Sequence, residues 1–391
     1  MLNRKKWMLF ILIGILISLI MIWFNQTKAI NVKDYGAIGD GVTDDTEAIQ
    51  RALQDSRAHK IYFPTGEYKI TKEIRISDKT EIDGNHAILK AASDLFSMLH
   101  IKGGHVRIQG LTINGNERSL RGITIANGSS DVVISECTIE NLTQPKDPSL
   151  SRLTVSGIRI EGGTRNITID HSKIHNIFAK NPIKGWGHHV ARGILISPEH
   201  KQQPVSKNIT ISNSTITNIG PKDDGDGIVI QGFTEAVNLQ ILNNTFSYNH
   251  KRAIKIQSPG ALIKGNKIYN NFYKNNFYHT YPEKEAYDMW AAISVYANHT
   301  TIEQNTITGV GNFARIIDVS NASNIKIINN MLENGYKGSD EHPSIISITS
   351  TQPGYILKNF TIIDNTFING EFGVLAASKI TNLNVWNNKL Q

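Results

Sequence analysis

Apolar and polar positions alternate over short stretches, and the same stretch returns along the chain. "DVVISECTIENL" from Asp131, "NITIDHSKIHNI" from Asn166, "NITISNSTITNI" from Asn208, "NLQILNNTFSYN" from Asn238, "TTIEQNTITGV" from Thr300, "NIKIINNMLENG" from Asn324 and "NFTIIDNTFING" from Asn359 share one order: strand, tight polar turn, strand. A third strand lies between them: "GITI" at Gly122, "GIRI" at Gly157, "GILI" at Gly193, "GIVI" at Gly227, "AIKI" at Ala253, "AISV" at Ala292 and "IIDV" at Ile316. A period of two argues half-buried strands. The spacing between units varies by more than ten residues while the strands persist.

No unit of this size buries its own apolar face. Stacked units bury a continuous core, which is how a solenoid is stabilised. Three short strands per turn with isoleucine inward predict an all-β chain: a single-stranded right-handed parallel β-helix of about ten coils. Asn244, Asn266, Asn305, Asn330, Asn365 and Asn388 fall in one column at the tight turn. Asparagine tolerates a left-handed backbone, and stacked amides can hydrogen-bond along the column. Ser172, Ser214 and Cys137 take that place in earlier coils, so Cys137 reads as a small turn filler.

A solenoid needs a cap. In "VKDYGAIGDGVTDDTEAIQRALQ" from Val32, Asp44 and Glu47 have capping-box spacing. Ala48, Ile49, Ala52 and Leu53 then form one apolar stripe. The expected division is a segment 1–29 and a β-helix domain 30–391, with residues 30–70 as the N-terminal cap. "WMLFILIGILISLIMIWF", Trp7 to Phe24, follows a basic start and is about long enough to span a membrane. It is expected to be an uncleaved anchor with the positive end inside; a removed signal peptide is the alternative. Either way the body is expected to be extracytoplasmic.

The 391 residues are 40% hydrophobic and only 19% charged, which excludes a disordered chain. A single cysteine excludes an internal disulfide and a multi-cysteine metal site. The net charge of +7 admits an anionic partner. No nucleic-acid-binding motif is present, so nucleic acid is not the expected one.

"DYGAIGDGVTDDTEAIQRAL" followed by "IYFPTGEYKI" resembles the N-terminal signature of the pectate-lyase superfamily, which includes polygalacturonase-like and epimerase-like β-helix proteins. The resemblance implies the fold and leaves the reaction open, since that superfamily holds lyases, hydrolases, C5-epimerases and tailspike-like proteins. "DGDGI" is similar to the "NTDGI" strand opening that supplies a catalytic aspartate in polygalacturonase-like hydrolases, and "RAIKI" to their basic strand that binds the uronate carboxylate. On that resemblance Asp226 and Lys255 take those roles. The "DDC" and "GHG" motifs of those hydrolases and the "DPHD" of alginate C5-epimerases are missing, and His250 is offset from the family position.

In the third strand, the residue between the isoleucines points outward, as does the residue before the glycine. The first column reads Thr124, Arg159, Leu195, Val229, Lys255, Ser294, Asp318; the second reads Arg121, Ser156, Arg192, Asp226, Arg252, Ala291, Arg315. Coils sit about 4.8 Å apart, so Arg192, Asp226, Arg252 and Arg315 are expected to form a ladder beside Arg159 and Lys255. This explains why "PKDDGDGIVIQG" crowds Asp223, Asp224 and Asp226: neighbouring cations offset their repulsion. A close carboxylate pair can also share a proton. The bland alternatives are solvated basic residues on an exposed face and an Asp-Gly turn.

Three chemistries fit. In β-elimination the uronate carboxylate is neutralised by Arg252, with Arg159, Arg192 and Arg315 binding substrate, and Lys255 acts as base. The aspartates Asp223, Asp224 and Asp226 would then hold Ca²⁺, which prefers oxygen ligands. In hydrolysis Asp226 is the acid and Asp224 its partner. In epimerisation His188 or His189 returns the proton from the loop "KGWGHHVARGILI". Trp186, Trp290, Tyr287 and Tyr296 lie near the same coils and can stack on sugar rings, Trp290 being the one assigned to substrate. The expected function is an enzyme cutting an acidic, uronic-acid-containing polysaccharide. Elimination is preferred, because the face is richer in Arg and Lys than in paired carboxylates. The alternatives are a C5-epimerase and a non-catalytic glycan-binding β-helix.

Overall fold

The computed structural model describes residues 29–55, 59–147, 149–150, 153–180, 190–220, 224–270, 277–281, 284–287, 291–309, 315–334, 344–352 and 354–391. The expected anchor and its cleavage lie outside the described residues, among which no helix is long and apolar enough to cross a membrane.

The strands stack into three long sheets. The first has thirteen strands, from Ile30–Asn31 to Ile380–Trp386; the second has thirteen, from Asp40–Asp44 to Lys389–Leu390; the third has eleven, from Ile74–Ile76 to Phe372–Ala376. Strands pair in parallel with their equivalents one turn before and after. This is a single-stranded parallel β-helix, with the right-handed crossover that parallel connections take. Phe277–Tyr281 and Lys284–Tyr287 add a small antiparallel hairpin. The thirteen strands in each of two sheets exceed the ten coils expected. The early coils, such as those of strands Lys60–Tyr62 and Glu81–Asp83, lack the ladder asparagine by which the repeat was recognised; Gly66 and Ala87 stand in its place.

The core is a column of isoleucine: Ile123, Ile158, Ile194, Ile228, Ile254, Ile293 and Ile317 lie in register, each fully buried. Strands of the first and second sheets alternate buried with more open positions. The third sheet does not. Thr124, Arg159, Leu195, Val229, Ser294 and Asp318, expected to face solvent, are buried as well. A parallel sheet is normally covered on both faces, and the long connections of this chain lead into this sheet.

The glycines of the third sheet have a packing reason. A Cβ at Gly157 would sit 2.6 Å from Gly193 O and from Ile174 Cγ2; at Gly193 it would sit 2.5 Å from Gly227 O and 2.7 Å from Ile216 Cγ2. Only glycine fits where this strand turns against the second sheet.

Helix α1, Thr46–Gln54, closes the N-terminal end with Ala48, Ile49, Ala52 and Leu53 buried. It begins one residue later than the sequence suggests. Asp45 is the N-cap residue, and its carboxylate accepts from Ile38 N at 2.6 Å and Gly39 N at 3.1 Å. Asp44 ends a strand and accepts from Thr46 N at 3.1 Å, while Glu47 pairs with Lys72 instead of reaching back.

The asparagine ladder is present. Asn244 Nδ2 donates to Asn266 Oδ1 at 3.1 Å, Asn266 to Asn305 at 2.9 Å, Asn305 to Asn330 at 3.0 Å, Asn330 to Asn365 at 3.0 Å and Asn365 to Asn388 at 2.9 Å. The left-handed residue, however, is the one before each: Asn243, Gln304, Asn329, Asp364 and Asn387 have φ of 55–58°. Cys137 fills the same column, its amide donating to Ser172 Oγ at 3.2 Å, and burial pushes its thiol up to about 11. Asn305 also donates to the carbonyls of Ile263 and Glu303 and accepts the Asn266 amide. Asn305→Ala strands these buried groups, and a loss of about 2–4 kcal/mol is expected in urea unfolding; an unchanged midpoint would show that the ladder carries no stability.

Candidate functional site

Seven strands of the third sheet build the site: β1 Ser119–Ile125, β2 Val155–Ile160, β3 Val190–Ile196, β4 Asp224–Gln231, β5 Arg252–Gln257, β6 Ala291–Val295 and β7 Arg315–Ser320. Register places Arg192 beside Asp226 and Asp226 beside Arg252 on successive turns. Arg159, Leu195, Val229, Lys255, Ser294 and Asp318 form the second column. The two columns read from the sequence are thus the columns of the fold.

Asp226, with no exposed surface, sits between two guanidinium groups: Arg192 Nη1 is 3.3 Å from its Oδ2 and Arg252 Nη1 is 3.4 Å from its Oδ1. Asp224 opens β4 and lies closer to solvent. Its carboxylate and carbonyl oxygen both accept from Arg192, and its Oδ1 is 3.6 Å from Arg252 Nη1 and 3.8 Å from Lys255 Nζ. Burial pushes the Asp224 carboxyl up, but Arg192 and Lys255, with Lys251 behind them, outweigh it and hold it well below the carboxylate range. Asp224 is therefore ionised at neutral pH and keeps no proton to share with Asp226. Arg252 also donates Nε to Ser294 Oγ at 2.9 Å.

Lys255 is the least constrained cation here. Its side chain is 14% exposed, and its one ion contact among the described residues, to Asp224, is longer than a hydrogen bond. Burial lowers its pKa; Asp226 and Asp224 act against this, while Arg192 and Arg252 reinforce it. The phenol of Tyr296, just past β6, lies beside Ser294 and Arg252, and burial raises its pKa, so it keeps its proton. The sequence suggested this ring only as a stacking surface. Its alignment with Gln257, two positions beyond Lys255, was the signal for a diagonal neighbour of Lys255.

Arg315 stands apart, paired within its own strand to Asp318 at 3.5 Å. Arg159 lies three turns from Lys255 and is joined with Arg121 to Glu199. Asp223, His188, His189, Trp186 and Trp290 lie outside the described residues, as does the side chain of Tyr287. Among the described residues no three His, Cys, Asp or Glu side chains group as a metal site. The carboxylates of Asp224 and Asp226 already face guanidinium groups at 3.3–3.6 Å, so this donor set does not fit Ca²⁺ without displacing arginines.

His250 is buried against Phe178, ring centroids 5.3 Å apart, and burial lowers it to about 4. The unfolded chain holds that proton up to about pH 6.5, so the native state binds fewer protons between the two values. Stability present above pH 6.5 is therefore lost as pH falls towards 4, by at most about 3 kcal/mol. His250→Phe removes this dependence: its urea midpoint is expected to gain on the wild type between pH 7 and pH 4.5, and parallel curves would refute the assignment.

The model of the family described as "Rhamnogalacturonase A/epimerase, pectate lyase-like" matches residues 29–276, and that described as "Right handed beta helix region" matches residues 192–390. Plasmin and fibronectin-binding protein A of Streptococcus pneumoniae is 25% identical over 321 residues, 79% of this chain and 36% of that protein. Alginate lyase 7 of Azotobacter vinelandii is 30% identical over 156 residues, 38% of this chain and 17% of that protein. The chain spans about a third or less of the length of these curated relatives. Among solved structures, the A-module of the Azotobacter vinelandii mannuronan C-5 epimerase AlgE6 superposes with a TM-score of 0.59 at 15% identity, covering 93% of this chain and 99% of that one. At that identity the likeness is one of fold.

Proposed function

This chain belongs to the rhamnogalacturonase A/epimerase, pectate-lyase-like family of right-handed β-helix proteins, and from that premise we propose that it is an extracytoplasmic enzyme acting on a uronic-acid-containing polysaccharide, breaking the glycosidic bond by β-elimination. One observation carries the reading. Arg192, Arg252 and Lys255 stand around Asp224 and Asp226, so among these described groups one positive charge is left over in a largely buried place. Such an excess suits an anionic substrate.

In this reading the uronate carboxylate settles against Arg252, which stabilises the enolate-like charge that develops when the α-proton leaves. Lys255, its pKa lowered by burial, takes that proton from C5 in its neutral form. The electrons form the C4–C5 double bond, the C4–O bond breaks, and the leaving oxygen takes a proton from the Tyr296 phenol. Arg192 and Asp226 position Arg252. The alginate lyase relative is consistent with this chemistry. Residues 1–29 would anchor the enzyme at the outer face of the membrane.

Incubation of the chain without residues 1–29 on pectate, alginate and hyaluronan tests the proposal. Ultraviolet absorbance of an unsaturated product supports elimination. New reducing ends without it indicate hydrolysis, and solvent deuterium at C5 without cleavage indicates epimerisation. One observation favours a second reading, glycan binding without catalysis: Arg192 and Arg252 are already engaged by aspartate. Tight binding with none of the three chemical signals would establish it.

A further inference from the structure

Arg121 on β1 and Arg159 on β2 are both buried; Glu161, just past β2, lies 3.9 Å from Arg121, and a more exposed loop reaches both arginines. Glu199 accepts from Arg121 Nη2 at 3.1 and 3.0 Å and from Arg159 Nη2 at 2.9 Å. Its amide donates to Gln203 Oε1 at 2.7 Å, which fixes the loop, and Arg159 Nη2 also reaches Pro198 O at 3.2 Å. The Arg121 guanidinium stacks on the Phe96 ring, 4.3 Å from its centroid. Glu199 stays 30% exposed while the two arginine side chains are 7% and 8% exposed. A carboxylate thus enters an arginine pincer from the solvent side.

The pincer is incompletely satisfied. Arg121 Nε, Arg159 Nε and Ser156 Oγ are buried without a hydrogen-bond partner among the described residues. Ser156 is the register partner of Arg121 and lies three residues before Arg159 on the same strand. Buried donors of this kind cost free energy unless something fills them.

We propose that Arg121, Ser156 and Arg159 form a second carboxylate-binding subsite for an acidic glycan, and that Glu199 occupies it in the free protein as an internal stand-in for a uronate carboxylate. The ligand's identity rests on the function proposed above; the anion site itself does not. Arg159 and Lys255 share one column three turns apart, about 14 Å at the spacing of parallel strands. A single sugar cannot reach both, so the subsite selects oligomers, and the loop carrying Glu199 must yield for a long chain to seat.

Two measurements test this. In thermal unfolding at constant ionic strength, sodium sulfate is expected to raise the melting temperature of Glu199→Ala several degrees more than that of the wild type, and Glu199→Ala combined with Arg159→Ala loses the difference. Should the alanine variant fail to fold, Glu199→Gln, which keeps the hydrogen-bonding shape without the charge, is expected to show a smaller gain of the same sign. Titration with a uronate tetramer is expected to give about tenfold tighter binding to Glu199→Ala, with no gain for glucuronate monomer. Equal sulfate responses in wild type and variants overturn the subsite. A sulfate response confined to the Glu199 variants, with no uronate oligomer bound by any form, keeps the anion site and removes the proposed substrate.

Discussion

Lys255→Ala is expected to lower kcat about 10³-fold on a polyuronate, within the range a general base contributes, with little change in the urea midpoint. The stability expectation follows from geometry: among the described residues Lys255 makes one loose ion contact, with Asp224, and is not buried between its neighbours as Asp226 is. Lys255→Arg separates two roles. Arginine keeps the positive charge and cannot give up its proton at working pH. If Lys255 only neutralises the uronate, the arginine variant stays active; if it is the base, both variants are inactive. The pH profile gives an independent sign. The base works neutral, and burial lowers its pKa, so activity rises with pH along a limb centred below the usual lysine range. Retained activity in Lys255→Ala would remove this residue from the mechanism.

The register of the site was legible because the inward isoleucines leave a period that admits one alignment. Arg192, Asp226 and Arg252 precede three such runs at the same offset, and a one-residue slip would have turned the isoleucines outward. Burial of the same sheet was not legible. The sequence reveals the length of the connections between second and third sheets but not how they fold, and cover decides whether Arg159 or Val229 meets water. The asparagine column was read at the right positions but with one property too many. Asparagine favours both left-handed turns and amide ladders, and here Asn243 takes the first role while Asn244 takes the second. Tyr296 went unrecognised as a proton donor because it follows its strand by one residue, outside the pattern that drew attention to Ser294. Some of the coils before Asp131 escaped the count because Gly66, Ala87 and Leu111 stand where later coils carry the ladder asparagine.

Asp226→Ala is expected to destabilise the protein by about 3–5 kcal/mol, because removing the central partner leaves two buried guanidinium groups with Asp224 as their only shared carboxylate among the described residues. Asp224 compensates them only in part. It opens the strand on the more exposed side and lies 3.6 Å from Arg252. Destabilisation alone does not make the ladder a device for stability, since burying three charges is itself costly. In an Asp224→Asn background the triple variant Arg192→Met, Asp226→Leu, Arg252→Met removes charge and desolvation cost together and is expected to recover the wild-type urea midpoint or exceed it. It is also expected to bind no polyuronate. A ladder replaceable by apolar side chains without loss of stability, and not without loss of binding, has its charges for the ligand. If the triple variant unfolds as readily as Asp226→Ala, the three charges hold the solenoid together and the anionic site must be sought elsewhere.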